Sequence, residues 1–379
     1  MKKSICFICS APVTFQCFLK EHATELLNSH NVTLISNFDN YDIKKIPSSI
    51  STFSVPFKRK ISLINDFFTL ISLYYLINKN KFDVTLSISP KAGLLVSIAS
   101  FISFTPIRIH WFTGQVWATK TGLYKKFLMS LDWLIANLST NLLVDSFTQR
   151  EFLYKKKIIK KIKSDVLASG SVNGVDTKRF KTSEKIRSEV REKLSINNKT
   201  KLIVFAGRLN KDKGIFDLID AFTKIKKKGY LVKLLLIGTD EEKVIEKIST
   251  TENFLKSEII YIGAKHNIEY WLNGCDIFCL PSYREGFGSI LIEASALKLP
   301  IVASKIYGVE DAVLDKETGL LFSAGNINDL VKAIIVLLND AKLCKQLGDS
   351  GFERVNKKFT QTILKKAFVE YINLKLNLI

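Results

Sequence analysis

Two glutamates separated by seven residues are candidate ligand-binding groups. Glu285 lies beside Gly286 and Gly288 in the segment PSYREGFGSILIEASAL. The pattern predicts a strand before this segment and a helix after it, so Glu285 falls in a loop and Glu293 about two turns into the helix. Carboxylates accept hydrogen bonds from paired sugar hydroxyls, and glycines let a ligand approach the backbone. A negative helix start would stabilise the helix dipole, which explains Glu285 but not Glu293.

Two cations occupy a similar position earlier in the chain. Arg208 and Lys213 follow the apolar run LIVFAG and precede a helix predicted over Gly214–Lys228. Two positive charges beside the free N–H groups of a helix N-terminus form a binding site for a diphosphate. On this stretch alone, solvated side chains in an ordinary loop remain the alternative. The acidic run Asp240–Glu242 is interpreted as a solvated helix start.

The segments that must position these residues alternate between strand and helix. In the first half a helix is predicted over Phe15–Asn28. The predicted strands of that half are Ser4–Ser10, Asn31–Ser36, Phe82–Ser89, Ile107–Phe112 and Asn141–Ser146. The series begins again with the strands Lys201–Arg208, Val232–Gly238, Ile259–Gly263, Asp276–Ser282 and Pro300–Ser304. Continuous apolar strands with helical crossovers predict parallel sheets covered on both faces.

The predicted architecture is therefore α/β, with two doubly wound, Rossmann-like domains in tandem. A chain of 379 residues is long enough for two domains. The first domain is expected over residues 1–175, and a linker with the second domain over 176–361. A C-terminal helix at about 362–379 is expected to pack back on the first domain. Ligands of such sheets bind beyond the carboxyl ends of the strands, so the cleft between the domains is the expected site.

The net charge of +20 indicates an anionic partner. Nucleic acid, a phosphorylated substrate and a membrane surface are the alternatives, beside a merely lysine-rich composition. No nucleic-acid-binding motif is present, and we expect no nucleic-acid partner. Basic and apolar residues interleave over Leu123–Leu134 and Tyr154–Lys163, which favours an anionic membrane surface. The six cysteines are interpreted as buried free thiols, which suit a reducing cytoplasm. No signal peptide or membrane-spanning stretch is recognised, and we expect a cytoplasmic protein attached peripherally to the inner face of a bacterial membrane.

Several segments resemble one enzyme family. PSYREGFGSILIEASALKLPIVAS, at 281–304, resembles the glutamate-seven-glutamate signature of retaining nucleotide-sugar glycosyltransferases of family 4 type, which have the two-Rossmann GT-B fold. GRLNKDKG, at 207–214, resembles the diphosphate-binding loop of that family. GSVNGVDTKRF, at 170–180, resembles its domain junction, and ETGLLF, at 317–322, a turn and strand near the end of its nucleotide-binding domain. IHWFTGQVWATKTG, at 109–122, is similar to bacterial enzymes that build surface polysaccharides such as O-antigen or capsule.

The resemblance implies roles for individual residues. Arg208 and Lys213 would hold the donor diphosphate, Glu293 the ribose, and Glu285 with the backbone beside it the donor sugar. The implied donor-binding residues are Gly207, Arg208, Lys213, Glu285, Gly286, Phe287, Gly288 and Glu293. The implied catalytic residues are His110, Arg208, Lys213 and Glu285. For His110, a position lining the reaction centre and a core or capping histidine both remain open.

The expected reaction transfers a hexose or N-acetylhexosamine from a nucleotide diphosphate to a polyprenyl-diphosphate-linked glycan. The resemblance favours UDP as the nucleotide, with GDP second. No cofactor and no metal are expected, because the nucleotide sugar is a substrate and no Asp-x-Asp motif occurs. The loop Ser10–Phe18 departs from the family pattern because it has no glycine. Alternatives are a catalytically silent carbohydrate-binding homologue and a basic nucleic-acid-binding protein. A dinucleotide-dependent oxidoreductase is disfavoured, since no Gly-x-Gly-x-x-Gly follows the first strand.

Overall fold

The computed structural model describes residues 2–58, 62–251 and 255–378. The chain forms two compact units. The first comprises Met1–Asn173 with Gln361–Ile379, and the second comprises Gly174–Thr360.

The first unit contains a seven-stranded sheet in which all neighbouring strands are parallel. Its strands are β1 (Ser4–Ile8), β2 (Asn31–Ser36), β3 (Ser51–Ser54), β4 (Val84–Ile88), β5 (Ile107–Phe112), β6 (Asn141–Val144) and β7 (Ser164–Asp165). The spatial order is β3-β2-β1-β4-β5-β6-β7, so the direction of winding reverses between β1 and β4. Such a reversal point is where ligands of doubly wound sheets bind.

The apolar strand β1 explains why this sheet is covered on both faces. Ile5 and Phe7 pack into one core cluster, and Cys6 and Ile8 pack into another. Since successive side chains of a strand point to opposite faces, each face needs its own layer of helices.

Six helices in the described part of the first unit precede the second unit in the chain. They are α1 (Pro12–Thr14), α2 (Lys20–Leu26), α3 (Leu63–Asn80), α4 (Pro90–Ile102), α5 (Gly122–Leu138) and α6 (Phe147–Lys155). The helix predicted from Phe15 starts earlier, at Pro12, and contains a π-helical turn over Phe15–Leu19. Proline suits the first helical turn because its fixed φ is helical and its missing N–H has no intrahelical partner there.

The second unit contains a six-stranded parallel sheet of order β10-β9-β8-β11-β12-β13. Its strands are β8 (Lys201–Ala206), β9 (Val232–Ile237), β10 (Ile259–Tyr261), β11 (Ile277–Leu280), β12 (Ile301–Ser304) and β13 (Leu320–Phe322). Its helices are α7 (Glu184–Lys193), α8 (Ile215–Lys227), α9 (Val244–Thr251), α10 (Leu255–Glu258), α11 (Ile268–Asn273), α12 (Ser289–Ala296), α13 (Val309–Ala312), α14 (Ile327–Asn339) and α15 (Ala341–Lys358). The winding reverses between β8 and β11.

The last helix, α16 (Gln361–Leu376), belongs to the first unit. Its Phe368 stacks on Trp111 of β5 with ring centroids 5.8 Å apart and lies 6.1 Å from Phe7 of β1. The helix therefore completes one of the two layers on that sheet. None of the helices in the described part of the chain is long and apolar enough to cross a membrane.

Candidate active site

The two strands at the reversal point of the second sheet each lead into a polar loop. Gly207 follows β8, and Lys213 ends a short 3-10 turn over Lys211–Lys213. Gly214 then has a φ of +67°, and a Cβ atom there would lie 1.9 Å from the carbonyl oxygen of Pro281, just after β11. Only glycine fits this contact, which brings the two loops together.

Lys213 and Glu285 form the central contact of the site. The ammonium Nζ of Lys213 lies 2.5 Å from Oε1 of Glu285, and both side chains are largely buried. Ser282 donates a second hydrogen bond to the same carboxylate oxygen at 2.8 Å. Two of the predicted site residues, 72 positions apart in the chain, therefore meet directly.

Arg208 also has an acidic partner, which the sequence interpretation did not predict. Its Nη1 lies 3.2 Å from Oε2 of Glu241, and Asn210 donates to the same oxygen at 2.8 Å. Asn210 is buried, and its carbonyl oxygen accepts the backbone N–H of Lys213. A chain of polar contacts thus links the surroundings of both predicted diphosphate-binding cations.

The interpretation of Asp240–Glu242 as a solvated helix start is correct only for its first residue. Asp240 accepts the backbone N–H groups of Val244 and Ile245, as a helix cap does. Glu241 instead turns towards Arg208. The pairing depends on topology, because β8 and β9 are neighbours and the loops that follow them lie at the same sheet edge, and the sequence does not state this strand order.

The glycine segment after Glu285 has two structural functions. Gly288 has a φ of +80° and caps α12, while Phe287 is buried against Phe359 with ring centroids 5.3 Å apart. A Cβ atom on Gly308 would lie 2.6 Å from the carbonyl oxygen of Gly286. The side chain of Phe287 therefore packs in the core. In the segment Gly286–Gly288, only the backbone is available to a ligand.

Glu293 lies in the second turn of α12 and is only partly accessible. Burial raises its pKa to about 7, and the charge of Glu269 adds to the rise while that of Arg179 opposes it. Arg179 pairs with Glu269 at 2.7 Å. Arg179 and Glu269 were not predicted as site residues, although Arg179 lies in the junction segment GSVNGVDTKRF.

His110 lies in the first unit, on β5, and is 1% exposed. Its Nδ1 is 2.9 Å from the hydroxyl of Ser87, and its ring packs edge-on against Phe112. A Cβ atom on Gly93 would come within 2.3 Å of the ring. Burial lowers the pKa of His110 to about 3, so the imidazole is neutral at physiological pH.

The side chains of the described residues offer no cluster of three or more His, Cys, Asp or Glu groups suited to a metal ion. The carboxylates nearest to the two loop cations instead form ion pairs with them.

The comparisons with known proteins agree on one family. Residues 186–354 match the family model "Glycosyl transferases group 1". The chain is 32% identical over 352 residues to the capsular polysaccharide biosynthesis glycosyltransferase CapM of Staphylococcus aureus, covering 90% of this chain and 89% of that protein. The chain belongs to the group 1 glycosyltransferases. The predicted resemblance to bacterial surface-polysaccharide glycosyltransferases is thereby confirmed.

Further relatives of this glycosyltransferase extend the comparison. It is 26% identical, over 82% of each chain, to the Escherichia coli UDP-Gal:alpha-D-GlcNAc-diphosphoundecaprenol alpha-1,3-galactosyltransferase. Anabaena Alr3699/HepE, solved with UDP and glucose, superposes with a TM-score of 0.80 over 98% of this chain and 99% of its own, at 17% identity. At that identity the superposition shows the fold alone, and it confirms the predicted pair of Rossmann-like domains.

Proposed function

We propose that this glycosyltransferase moves a sugar from a UDP-sugar to a polyprenyl-diphosphate-linked glycan during assembly of a bacterial surface polysaccharide. The observation that carries the proposal is the meeting of Lys213 with Glu285, with Arg208 held nearby by Glu241, at one edge of a doubly wound sheet. The names of the capsular and the diphosphoundecaprenol-dependent relatives support the substrate class.

The cations Arg208 and Lys213 would bind the diphosphate of the donor. Arg208 donates to both carboxylate oxygens of Glu241 through Nη1. Among the described side chains, this contact does not use the donors on Nε and Nη2. A guanidinium carries five N–H donors in a fork that matches two phosphate oxygens. Glu241 would therefore orient the guanidinium while the remaining donors reach the ligand.

The proposed reaction retains the configuration of the anomeric carbon. The bond from that carbon to the leaving phosphate oxygen breaks, and a bond to the acceptor hydroxyl oxygen forms on the same face. The proton of the acceptor hydroxyl passes to the leaving phosphate oxygen, which keeps the charges balanced. Arg208 and Lys213 stabilise the negative charge that develops on the diphosphate, so the transfer requires no divalent ion.

The two glutamates would bind different parts of the donor. When phosphate oxygens engage Lys213, the carboxylate of Glu285 gains freedom to accept hydrogen bonds from hydroxyls of the transferred sugar. Glu293 would accept from the ribose hydroxyls. Its raised pKa, about 7, reflects a desolvated carboxylate for which hydroxyl donors would be favourable partners.

His110 is proposed to line the reaction centre as a neutral group. Its low pKa, about 3, makes it a poor proton acceptor. The ring could orient the acceptor by a hydrogen bond, and Ser87 and Gly93 would hold it in position. This role predicts a loss of acceptor discrimination in His110→Ala without a change in nucleotide affinity.

The enzyme is further proposed to attach peripherally to the inner face of the bacterial membrane. The lysines of the segment Tyr154–Lys163 are exposed at positions 155, 156, 157, 160 and 161. Of the apolar residues in this segment, Ile158 and Ile159 are buried, whereas Ile162 is 95% exposed. Each lysine near an anionic bilayer contributes about 1 kcal/mol.

The proposed activity is tested with a panel of nucleotide sugars and a short polyprenyl-diphosphate glycan, with products identified by mass spectrometry. We expect one UDP-sugar to give a single sugar addition, in the presence of a chelator as well as without it. Lys213→Ala should abolish most of this product, and Lys211→Ala, an exposed lysine of the same turn, is the matched control. Transfer from a sugar of another nucleotide, together with no transfer from any UDP-sugar, would refute the donor assignment.

A further inference from the structure

The outer face of α3 is unusually apolar for a surface helix. Leu63, Ile64, Phe67 and Phe68 leave 83%, 74%, 60% and 58% of their surface exposed, and they lie on neighbouring turns. A helix on the surface of a globular protein normally directs charged and polar residues outwards. Contiguous apolar patches of this kind mark sites of protein or membrane interaction.

The first turns of α5 carry a second group of exposed apolar residues. Leu123 is 82% exposed and Phe127 is 52% exposed. Together with the four residues of α3 they are called the apolar rim here, comprising Leu63, Ile64, Phe67, Phe68, Leu123 and Phe127.

The apolar rim lies at the carboxyl edge of the first sheet. Asp66, in the first turn of α3, pairs with Lys91 in the first turn of α4 at 2.6 Å, and α4 begins directly after the carboxyl end of β4. Only Ser139 and Thr140 separate the end of α5 from the start of β6. The N-terminal turns of α5 are therefore at the opposite, carboxyl edge, where ligands of doubly wound sheets bind.

The charges around the rim favour an anionic partner. The acidic residues of α3, α4 and α5 are Asp66, which pairs with Lys91, and Asp132, which is buried and accepts a hydrogen bond from Trp117 at 2.7 Å. Lys126 is exposed on α5 beside Phe127, and the exposed Lys58 accepts a hydrogen bond from Lys91 through its backbone carbonyl. A second copy of this chain would bring like charges together, since each carries a net charge of +20.

We propose that the apolar rim inserts into the interface of an anionic lipid bilayer and holds the carboxyl edge of the first sheet at the membrane surface. The inference rests on the proposed function, in which the acceptor is lipid-linked. It adds an apolar anchor on α3 and α5 at the carboxyl edge, whereas the lysines at positions 155–161 lead into the start of β7 and so lie at the opposite, amino edge. An acceptor carried by the bilayer would then meet the protein at the sheet edge where ligands bind.

An apolar anchor and a basic contact respond differently to salt. Attraction between exposed lysines and anionic lipid is screened at high ionic strength, whereas burial of apolar side chains in the lipid interface is not. Binding of the wild-type protein to anionic vesicles should therefore weaken in high salt but persist. A variant without the rim should bind in low salt only.

The test is vesicle flotation of the full chain, without donor or acceptor. The vesicles contain equal parts of phosphatidylcholine and phosphatidylglycerol, and salt is low or high. The rim variant carries Ile64→Ser, Phe67→Ser and Phe68→Ser, and the matched control carries Leu231→Ser and Val336→Ser, which are exposed apolar residues of the second unit. We expect the rim variant to lose at least about tenfold in high-salt binding, with the control unchanged.

Each other outcome contradicts the inference. Equal high-salt flotation of the rim variant and the wild type would exclude the rim as an anchor, as would binding by wild type that disappears entirely in high salt. Sedimentation velocity without vesicles tests whether a second copy of the chain covers the rim instead of lipid. A wild type that is a dimer and a rim variant that is a monomer would support the second copy. Circular dichroism and thermal unfolding verify that the variant is folded.

The proposed function can fail separately from this inference. Sugar transfer to a water-soluble acceptor tests the chemistry without a membrane. Absence of transfer by a wild-type protein that still floats in a rim-dependent manner would refute the proposed activity and leave the anchor intact. Normal transfer by a protein whose flotation does not depend on the rim would refute the anchor and leave the proposed activity intact.

Discussion

Replacing Lys213 with alanine tests the proposed chemistry most directly. The ammonium group lies at the carboxyl edge of the second sheet, 2.5 Å from Glu285, and only 20% of the side chain is exposed. A cation in such a largely desolvated position interacts strongly with the charge that develops on a leaving diphosphate. The substitution removes that charge and leaves the backbone of the 3-10 turn unchanged.

The expected magnitude follows from the loss of one preorganised charge. Removal of such a group costs about 3–4 kcal/mol of transition-state stabilisation, which is roughly a hundredfold to a thousandfold in kcat. The substitution also leaves Glu285, 11% exposed, without its ion pair. Loss of a partner costs about 3–5 kcal/mol of stability when an ion pair is fully buried and about 0–1 kcal/mol when it is exposed. This partly buried pair falls between these limits.

The two consequences can be separated with a second substitution. Lys213→Ala with Glu285→Gln removes the unpaired carboxylate, so it should recover part of the lost melting temperature but none of the lost rate. The assay measures kcat by mass spectrometry of the product, the affinity for UDP by calorimetry and the melting temperature. A folded Lys213→Ala protein with near-normal kcat would refute the diphosphate role, and full recovery of the rate in the double variant would assign the defect to Glu285.

Four further predictions concern the candidate site. Glu285→Gln should lower transfer with little change in affinity for UDP, whereas Glu293→Gln should weaken binding of UDP itself, and calorimetry distinguishes the two. Glu241→Gln should lower affinity for UDP more than for uridine, because it releases Arg208, while an increased affinity for UDP would mean that Glu241 competes with the diphosphate. Activity should survive a chelator, and loss that magnesium restores would reveal a metal site. Because the folded-state pKa of Glu293 is raised from 4.5 to about 7, its contribution to stability should be lost as pH rises through that range, and Glu293→Gln should flatten the fall of melting temperature with pH.

The sheet strands were the most predictable part of the fold. Runs such as LIVFAG and DIFCLP are apolar without interruption because their strands are buried on both faces, and the structure has β8 and β11 there. Helix starts were less predictable. The helix predicted from Phe15 begins at Pro12, and the one predicted from Gly214 begins at Ile215, since Gly214 adopts a left-handed conformation at the turn.

The contacts within the candidate site could be predicted only in part. Arg208, Lys213 and Glu285 each follow a strand, so their common edge could be inferred from the alternation of strands and helices. Their partners could not, because the pairing of Lys213 with Glu285 depends on β8 lying beside β11, and the sequence does not state strand order. The pairing of Arg208 with Glu241 depends in the same way on β8 lying beside β9.

Both loop cations have an acidic partner, and this arrangement has a physical reason. Two unpaired cations in the one loop between β8 and α8 would repel each other and destabilise the sheet edge that must hold them. A carboxylate beside each cation removes that cost while keeping the side chain extended towards the site. A diphosphate can then add its oxygens to donors that are already oriented, so less side-chain entropy is lost on binding. The same carboxylates reduce the net positive potential of the site, which should disfavour singly charged phosphates relative to a diphosphate that contacts both cations at once.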